Sequence, residues 1–528
     1  MGLNIRLPEL SKAELTPAVV ELLEIAQGLA QRVHLQEEEI GRLKDEIAVL
    51  KKQKKRPKIK PSKMDDDTAG GDPGNTGLPR SRAPKRENKK TQDLEIHHSE
   101  VVKVEGVHKD WTFKGYERYV VQDLRIEPDN TCYLLEQWER PDGTYVIAKA
   151  PEGGHYRATL VSYILHQYHH QHVTQPLLLE QLKELGFKIS AGKLSELLIE
   201  GKEDFHREKD ELLAAGKEVS NYLQTDDTGA RHKGKNGYCT YIGNDLFAWF
   251  ESTESKSRVN FLDLLRGEDK DYVVNAGALE YMQQQGLPKA KVAVLEAHGG
   301  EFANHKAWTQ HLSNLGIEGK RHIAIATEGA LMGSLLAHGL TTEMAIVSDD
   351  AGQFNVFRHG LCWIHAERII VRLIPLNETH RKEQRWVRAQ IWDLYADLKV
   401  YKTAPTEELK EDIDARFEEL CATHTSFATL GQALKRLHKN KVELLLVLEK
   451  PWLPLHNNLS ESDIREYVKK RKISGSTRSD EGRRCRDTFT SLKKTCRKHG
   501  ICFWDYLKDR VSGTKAIPPL AEYIRHAV

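Results

Sequence analysis

The sequence predicts a mixed α/β fold, and two observations carry that expectation. Ala345-Ile346-Val347, closed by Ser348, is a short unbroken apolar run of the kind that forms a buried parallel strand. Earlier in the chain, QTDDTGAR, NGYCTYIGND and LFAWFESTES are three consecutive strand-like runs broken by Lys/Gly and Asn/Asp turns, a pattern that predicts an antiparallel meander. Asp349 and Asp350 follow the Ala345 run at its C-terminal end, where open α/β sheets place ligands and chemistry. A second apolar run, Leu361-Cys362-Trp363-Ile364, reads as a further strand and ends in His365, ahead of a helical pattern through Ala366, Arg368 and Ile369.

At 528 residues the chain is too long for one ordinary core, so two to four domains are expected. The net charge is only +2, but it is unevenly spread. Lys51 to Lys90 carries fourteen basic and five acidic residues, and Arg465 to His499 thirteen and four, so each segment is +9 on a chain whose remainder is acidic. Two concentrated basic segments point to a polyanionic partner. The seven cysteines contain no Cys-x-x-Cys pair, which removes the spacing support for a zinc ribbon or a disulfide framework and suits reduced thiols in a cytoplasmic protein. No charged-then-apolar signal pattern opens the chain, and no apolar stretch approaches the roughly 20 residues of a membrane span, so no membrane partner is expected.

In order, residues 1–52 read as a coiled-coil helix. Val19, Ala26, Val33, Ile40 and Ile47 form one heptad column and Leu22, Leu29, Gln36, Leu43 and Leu50 the next, with Gln36 the one polar seam position. Residues 53–93, dominated by Pro, Gly, Asp and Lys, read as a disordered basic linker. From 94 to 150 the runs SEVVKVEG, RYVVQDLRI and TCYLLEQWERPDGTYVIA predict a small β-rich module with a hairpin at Pro141-Asp142-Gly143. Residues 151–215 read as helical. Within them PLLLEQLKELGFKISAGKLSELLIEG has a helix, a turn at Gly186 and a second helix opened by Ser190, the layout of a helix-turn-helix and equally of a plain helical hairpin. Residues 216–510 read as the main α/β core, with insertions near 270–342 and 375–450. In the first, KVAVLE and HIAIA read as strands; the second is helical and highly charged. Residues 511–528 read as a tail.

Single Asp residues at strand ends are commonly turn or cap residues, and a Glu near a helix start is commonly an exposed acid. Asp226 on the first strand of the meander, Asp349 and Glu461 gain weight by their order along the chain and by the basic segment that follows them. The meander and the Asp349 strand resemble a ribonuclease-H-like core, in which the first and fourth strands are neighbours and a later helix brings in a Glu. Three carboxylates without Cys or His partners suit hard Mg²⁺ or Mn²⁺. Two such ions about 3.5–4 Å apart can act on a phosphodiester.

At these residues the chain resembles the DDE transposases of insertion-sequence family 66. TDDT stands where the family has Asp-Glu-Thr; Cys362, Trp363, His365, Ala366 and Arg368 match its Cys-Trp-x-His-Ala-x-Arg; Asn457, Asn458, Glu461, Arg465, Arg471 and Lys472 match its Asn-Asn-x-x-Glu with a downstream Arg and Arg-Lys pair. The resemblance implies a transposase that cleaves the ends of a mobile DNA element and joins them to a target, with Asp226, Asp349 and Glu461 as catalytic and metal-binding triad. It further implies bacterial, nucleoid-associated action and a possible need for small accessory proteins. Cys362, His365, Asn458 and Arg465 are the expected supporting residues, with Cys362 a buried structural thiol and His365 either structural, or hydrogen-bonded near the carboxylates or supporting a DNA phosphate. Lys469, Lys470, Arg471 and Lys472 are the expected DNA-backbone contacts. The alternatives are a nuclease of the same fold without joining activity and a domesticated DNA-binding scaffold. Three departures stand out: the family's zinc module falls at 94–150, where Cys132 is alone and no zinc is expected; 123 residues separate Asp226 from Asp349, more than the family pattern; and Asp227 replaces the family's Glu.

A dimer or higher oligomer is expected from the heptads, since transposition holds two DNA ends together. Replacing Leu29 and Leu43 by Pro costs about 3 kcal/mol each in a helix interior and is expected to lower the assembly to monomer in a solution mass measurement; an unchanged mass would place assembly elsewhere.

Overall fold

The computed structural model describes residues 95–106, 111–151 and 154–527. The expected coiled coil and basic linker lie outside the described residues. Residues 95–130 and 131–527 belong to two separate units.

In the first unit the described residues form neither strand nor helix, and large apolar side chains such as Val102 and Tyr119 stand 90% exposed. The β-rich module expected here is therefore corrected. Alternation makes a strand possible, but a strand exists only when it is paired, and SEVVKVEG and RYVVQDLRI find no partner. The second unit opens with the one part of that module that does pair, an exposed hairpin of β1 (Gln137–Glu139) and β2 (Tyr145–Ile147). Its turn is closed by Asp142, whose carboxylate accepts from the Thr144 amide and hydroxyl.

Helices α1 (Ala158–Leu165), α2 (Gln175–Glu184), α3 (Ala191–Ile199) and α4 (Glu203–Val219) follow, with a π-helical turn at His166–His170. Gly186 has φ of +90° between α2 and α3, and the Ser190 hydroxyl caps α3 by accepting from the Lys193 amide. Leu194 and Leu198 turn the buried face of α3 inward, so this helix pair is packed within its own unit.

The centre is a five-stranded sheet in the order β5-β4-β3-β8-β9. Strands β3 (Tyr222–Gly229), β4 (Tyr238–Gly243) and β5 (Ala248–Thr253) form the antiparallel meander, and β8 (Ala345–Ser348) and β9 (Arg358–Leu361) add to β3 in parallel. Between β5 and β8 lie α5 (Arg258–Arg266), β6 (Tyr272–Val273), α6 (Ala276–Gln284), α7 (Lys289–Ala297), β7 (Glu301–Phe302), α8 (His305–Asn314) and α9 (Lys320–Ala337). KVAVLE lies in α7 and HIAIA in α9, so both strand expectations are corrected. A short apolar run fits a buried helix as well as a strand, and Ile325 to Leu335 is buried on nearly every side of an 18-residue helix. Gly333 is what lets α9 seat: a Cβ there would stand 2.0 Å from the Val273 carbonyl oxygen.

After β9 come α10 (Trp363–Val371), α11 (Glu378–Thr403), α12 (Glu407–Ala422), α13 (Ala428–Lys439) and α14 (Lys441–Leu444), which share a separate apolar core. Trp363 and Ile364 are thus the first turn of α10, one residue past the strand expected to contain them. Helices α15 (Asn458–Ser474), α16 (Asp480–Lys498), α17 (Phe503–Ser512) and α18 (Leu520–Arg525) close the unit. The expected C-terminal tail is a docked helix, with Leu520 and Ile524 fully buried and Arg525 paired to Glu218 at 2.8 Å. Among the described residues no helix is long and apolar enough to cross a membrane.

Alternation across the sheet positions the site. Leu223 and Ile346 point into the larger core, whereas Tyr222, Ala345 and Val347 face the other way, against Leu446 and Leu453. Gln224 pairs in register with Val347, so two residues further along each strand, on that second face, stand Asp226 and Asp349. Tyr241, opposite Asp226, packs on the same face with Ile464 and Tyr467 of α15.

Candidate active site

The start of α15 is docked to β3 by the Gln224 side chain. Gln224 is 3% exposed; its amide nitrogen donates to the His456 carbonyl and its oxygen accepts from the Ser460 amide, each at 3.3 Å. Further along, Arg471 donates to the Thr228 hydroxyl at 3.1 Å and to the Gly229 carbonyl. Glu461 sits in the first turn of α15, between these two anchors and over the carboxylate end of β3 and β8.

Asp226 is largely buried, and burial first, then the neighbouring Asp349 carboxylate, pushes its carboxyl up to about 7, with smaller pressure from Asp227 and Glu461. Its Oδ1 accepts from the Asp227 amide at 2.8 Å. Asp349 caps its own loop, accepting from the Ala351 amide at 3.2 Å, just after Ser348, whose hydroxyl meets the buried His359 at 2.8 Å. Asp227 turns to a separate set of partners: Gln353 donates to it at 2.6 Å, and Lys256 stands 3.9 Å away. Asp350 faces Arg436 and Asn440, at 2.8 and 3.1 Å.

Glu461 is held by cations. Arg368 Nη1 lies 3.0 Å from its Oε1 and Arg465 3.2 Å from its Oε2, and His365 Nε2 approaches Oε1 at 3.4 Å. Arg368 also reaches His365 Nε2 at 3.3 Å. A guanidinium can only donate, so this contact is a hydrogen bond when Nε2 is unprotonated, whereas a protonated Nε2 faces the Glu461 carboxylate instead. Burial lowers the His365 pKa and so favours a neutral ring. The carboxamide of Asn457, 1% exposed, sits against this ring. Asn458, the first residue of α15, contributes its amide, 3.4 Å from His456 Nδ1. Cys362 is 1% exposed and precedes α10; burial raises its thiol pKa and its amide bonds the Ser348 carbonyl at 3.0 Å.

Residues 336–484, from α9 through the first turn of α16, match the model of the family described as "Transposase IS66 family". The uncharacterized protein y4jO of Sinorhizobium fredii (strain NBRC 101917 / NGR234) is 41% identical over 317 residues, which is 59% of this chain and 99% of that protein. The chain belongs to the transposase IS66 family.

In this IS66-family chain the basic run expected to grip DNA is divided. Lys469 and Lys472 are exposed, but Lys470 is 3% exposed, with its Nζ 3.5 Å from the centre of the Tyr168 ring and bonded to the Tyr168 carbonyl. Burial, then the Arg486 and Lys493 cations, pull its pKa down to about 7. Arg471 is engaged with β3. Those two expectations are corrected: on a helix packed over a sheet, successive basic residues cannot all face solvent. The same holds beyond them, where Lys493 pairs with Glu466, and Lys494 and Lys498 reach the buried Asp463 at 2.8 and 2.9 Å. Gln224 is the site-building residue that sequence reasoning passed over, and Asp463, a candidate carboxylate beside Glu461 in the sequence, is instead a buried anchor for Lys494 and Lys498. A polar residue inside an apolar strand run was the available signal for Gln224.

Among the described residues no three His, Cys, Asp or Glu side chains stand as a ready cation cage. The donor chemistry still fits a hard divalent cation, because Asp226 and Asp349 crowd two carboxylates with no cation within ion-pair distance of either among the described residues. Asp226 and Asp349 could hold such an ion, while Glu461 is taken up by arginine.

A carboxyl whose proton is held more tightly folded than unfolded favours the fold most at low pH, and loses that contribution as pH rises toward about 7. Asp226→Asn cannot ionise, so in chelator at pH 8 it is expected to melt above the wild-type chain, by roughly 1 °C per kcal/mol recovered in a chain of this length. The gap should narrow as pH falls from 7 toward 4, and Mg²⁺ should raise the wild-type Tm more than the variant's. Equal or lower melting of the variant at pH 8 would mean that the charge of Asp226 is already compensated.

Proposed function

We propose that this protein is a DDE-type transposase: a ribonuclease-H-like core that cleaves the ends of a mobile DNA element and transfers the freed 3′-hydroxyl into a target, with Asp226, Asp349 and Glu461 as its triad. The observation that supports this reading is the pairing of β3 with β8, which brings Asp226 and Asp349 together on the face that α15 covers, where burial and then the Asp349 charge push Asp226 up to about 7. Membership of the IS66 family supports DNA as the partner.

Asp226 and Asp349 would bind Mg²⁺ or Mn²⁺, and Glu461 would complete the set. When bound, two such ions supply Lewis acidity at the phosphodiester and lower the pKa of the attacking water or hydroxyl. The chain's own contribution is position. Paired strands hold the two Asp side chains in register, Gln224 fixes the first turn of α15, and His365 packs beside Glu461. The exposed Lys469 and Lys472, on the outer side of α15, suit the DNA backbone. An N-terminal zipper over 1–52 would hold two copies together, and small accessory proteins would assist.

Removing a partner of a metal ligand typically costs 10–100-fold, so removing a ligand charge should cost more. Asp226→Asn, Asp349→Asn and Glu461→Gln are each expected to bind element-end DNA as the wild type does, yet to nick and join it over about 100-fold more slowly in Mg²⁺ or Mn²⁺. Asp227→Asn and Asp350→Asn, whose carboxylates face other partners, should keep substantial activity. Nicking without joining by the wild type would select the nuclease, and full activity in all three triad variants would sink the enzymatic reading.

A further inference from the structure

The charge at this site is unequally balanced. Asp226 and Asp349 have no cation within ion-pair distance among the described residues, whereas Glu461, close by, has two arginines. Arg368 Nη1 occupies a defined position, 3.0 Å from Glu461 Oε1 and 3.3 Å from His365 Nε2. Those two atoms converge on it from different helices, α15 and α10, as ligands converge on an ion. The Arg368 side chain is 41% exposed and that of Glu461 14%. The guanidinium can therefore swing outward, while the carboxylate stays under α10. Arg372, which caps the C-terminus of α10 four residues beyond Arg368, is exposed and forms no ion pair among the described residues. Arg465, one turn beyond Glu461 on α15, is 68% exposed.

We propose that Arg368 stands in for the divalent cation at Glu461 in DNA-free protein, and that a backbone phosphate bound by Arg368, together with Arg372 and Arg465, draws it away so that the cation site closes only on DNA. This rests on the transposase reading of the triad and adds a phosphate-binding site to it. A guanidinium matches two phosphate oxygens as well as it matches a carboxylate, so the exchange replaces one ion pair by another. Glu461 Oε1 is left facing the position that the guanidinium vacated, beside the Asp226 and Asp349 carboxylates. By linkage, DNA and the cation must then raise each other's affinity by the same factor. A chain that assembles its cation site only on DNA also avoids hydrolytic activity without substrate.

The test measures Mn²⁺ binding to the full chain by calorimetry, with and without a DNA duplex whose own Mn²⁺ uptake is subtracted. Arg368→Met is expected to bind Mn²⁺ roughly two- to fivefold more tightly than wild type without DNA, the size of losing one partly exposed ion pair. DNA should tighten Mn²⁺ binding to wild type by a similar factor and to Arg368→Met far less. Arg368→Lys, which keeps a charge but not the fork, should fall between them. The gain must vanish in Arg368→Met/Glu461→Gln, because it acts through that carboxylate. Unchanged or weaker Mn²⁺ binding by Arg368→Met, or a gain that persists without Glu461, overturns this inference while leaving the triad standing. No Mn²⁺ binding by any form, with or without DNA, overturns the triad reading as well.

Discussion

The site depends on three residue pairs. Tyr222 with Ala345, Leu223 with Ile346 and Gln224 with Val347 form the parallel ladder that joins the meander to the rest of the sheet. Everything at the carboxylate end follows from that register, because a slip of one residue would send Asp226 and Asp349 to opposite faces. Both faces enforce it. Leu223 and Ile346 are fully buried in the larger core, and Ala345 and Val347 are fully buried against Leu446 and Leu453, so neither strand can shift without exposing apolar surface on one side and burying polar groups on the other. The long excursion through α5 to α9 therefore leaves the juxtaposition intact, since it returns the chain to the sheet through a buried helix seated closely on β6.

Helix α16 solves a second problem, the open edge of β5. Its side chains at four-residue intervals meet alternate amides of that strand: Asp487 accepts from Ser252 at 2.8 Å, Ser491 from Phe250 at 2.9 Å and Thr495 from Ala248 at 3.1 Å. The match works because two steps along a strand and one turn along a helix are comparable distances, about 6.6 and 5.4 Å. The edge is thereby satisfied without another strand and closed to pairing with a second chain. The buried Asp463 ties α15 to the same helix through Lys494 and Lys498 and accepts from Tyr241 at 3.0 Å. Breaking such a network by removing one partner leaves a buried charge uncompensated. Much of the basic character of 465–499 is thus structural, spent on holding the layer that carries Glu461.

What remains for chemistry is the imbalance at the strand ends. Among the described residues the two Asp side chains have no counter-ion, whereas the elements around them supply partners to Asp227 and Asp350 through Gln353, Arg436 and Asn440. Neighbouring carboxylates in the sequence consequently have different roles in space. A paired Asp is neutralised and positions a loop, whereas an unpaired and half-buried one stores repulsion that an incoming cation can relieve.

The sequence by itself determined the elements whose cause is local. The meander, the Ala345 strand with its terminal Asp349, the hairpin at Pro141-Asp142-Gly143 and the helix start at Ser190 all rest on alternation, turn residues and caps, which act over a few residues. The motif residues Cys362, His365, Arg368 and Glu461 were legible through their match to a family pattern, but that pattern is silent on who touches whom. Tertiary structure alone decided that KVAVLE and HIAIA are helical, that SEVVKVEG stays unpaired, that Lys470 is buried on Tyr168 and that Arg368 sits on Glu461. Each of these turns on burial or on a partner more than ninety residues away or absent altogether, or, for the two helices, on the length of the whole buried element. Local periodicity carries no information about such distances, because the same apolar run or the same lysine is compatible with either outcome until the rest of the chain packs against it.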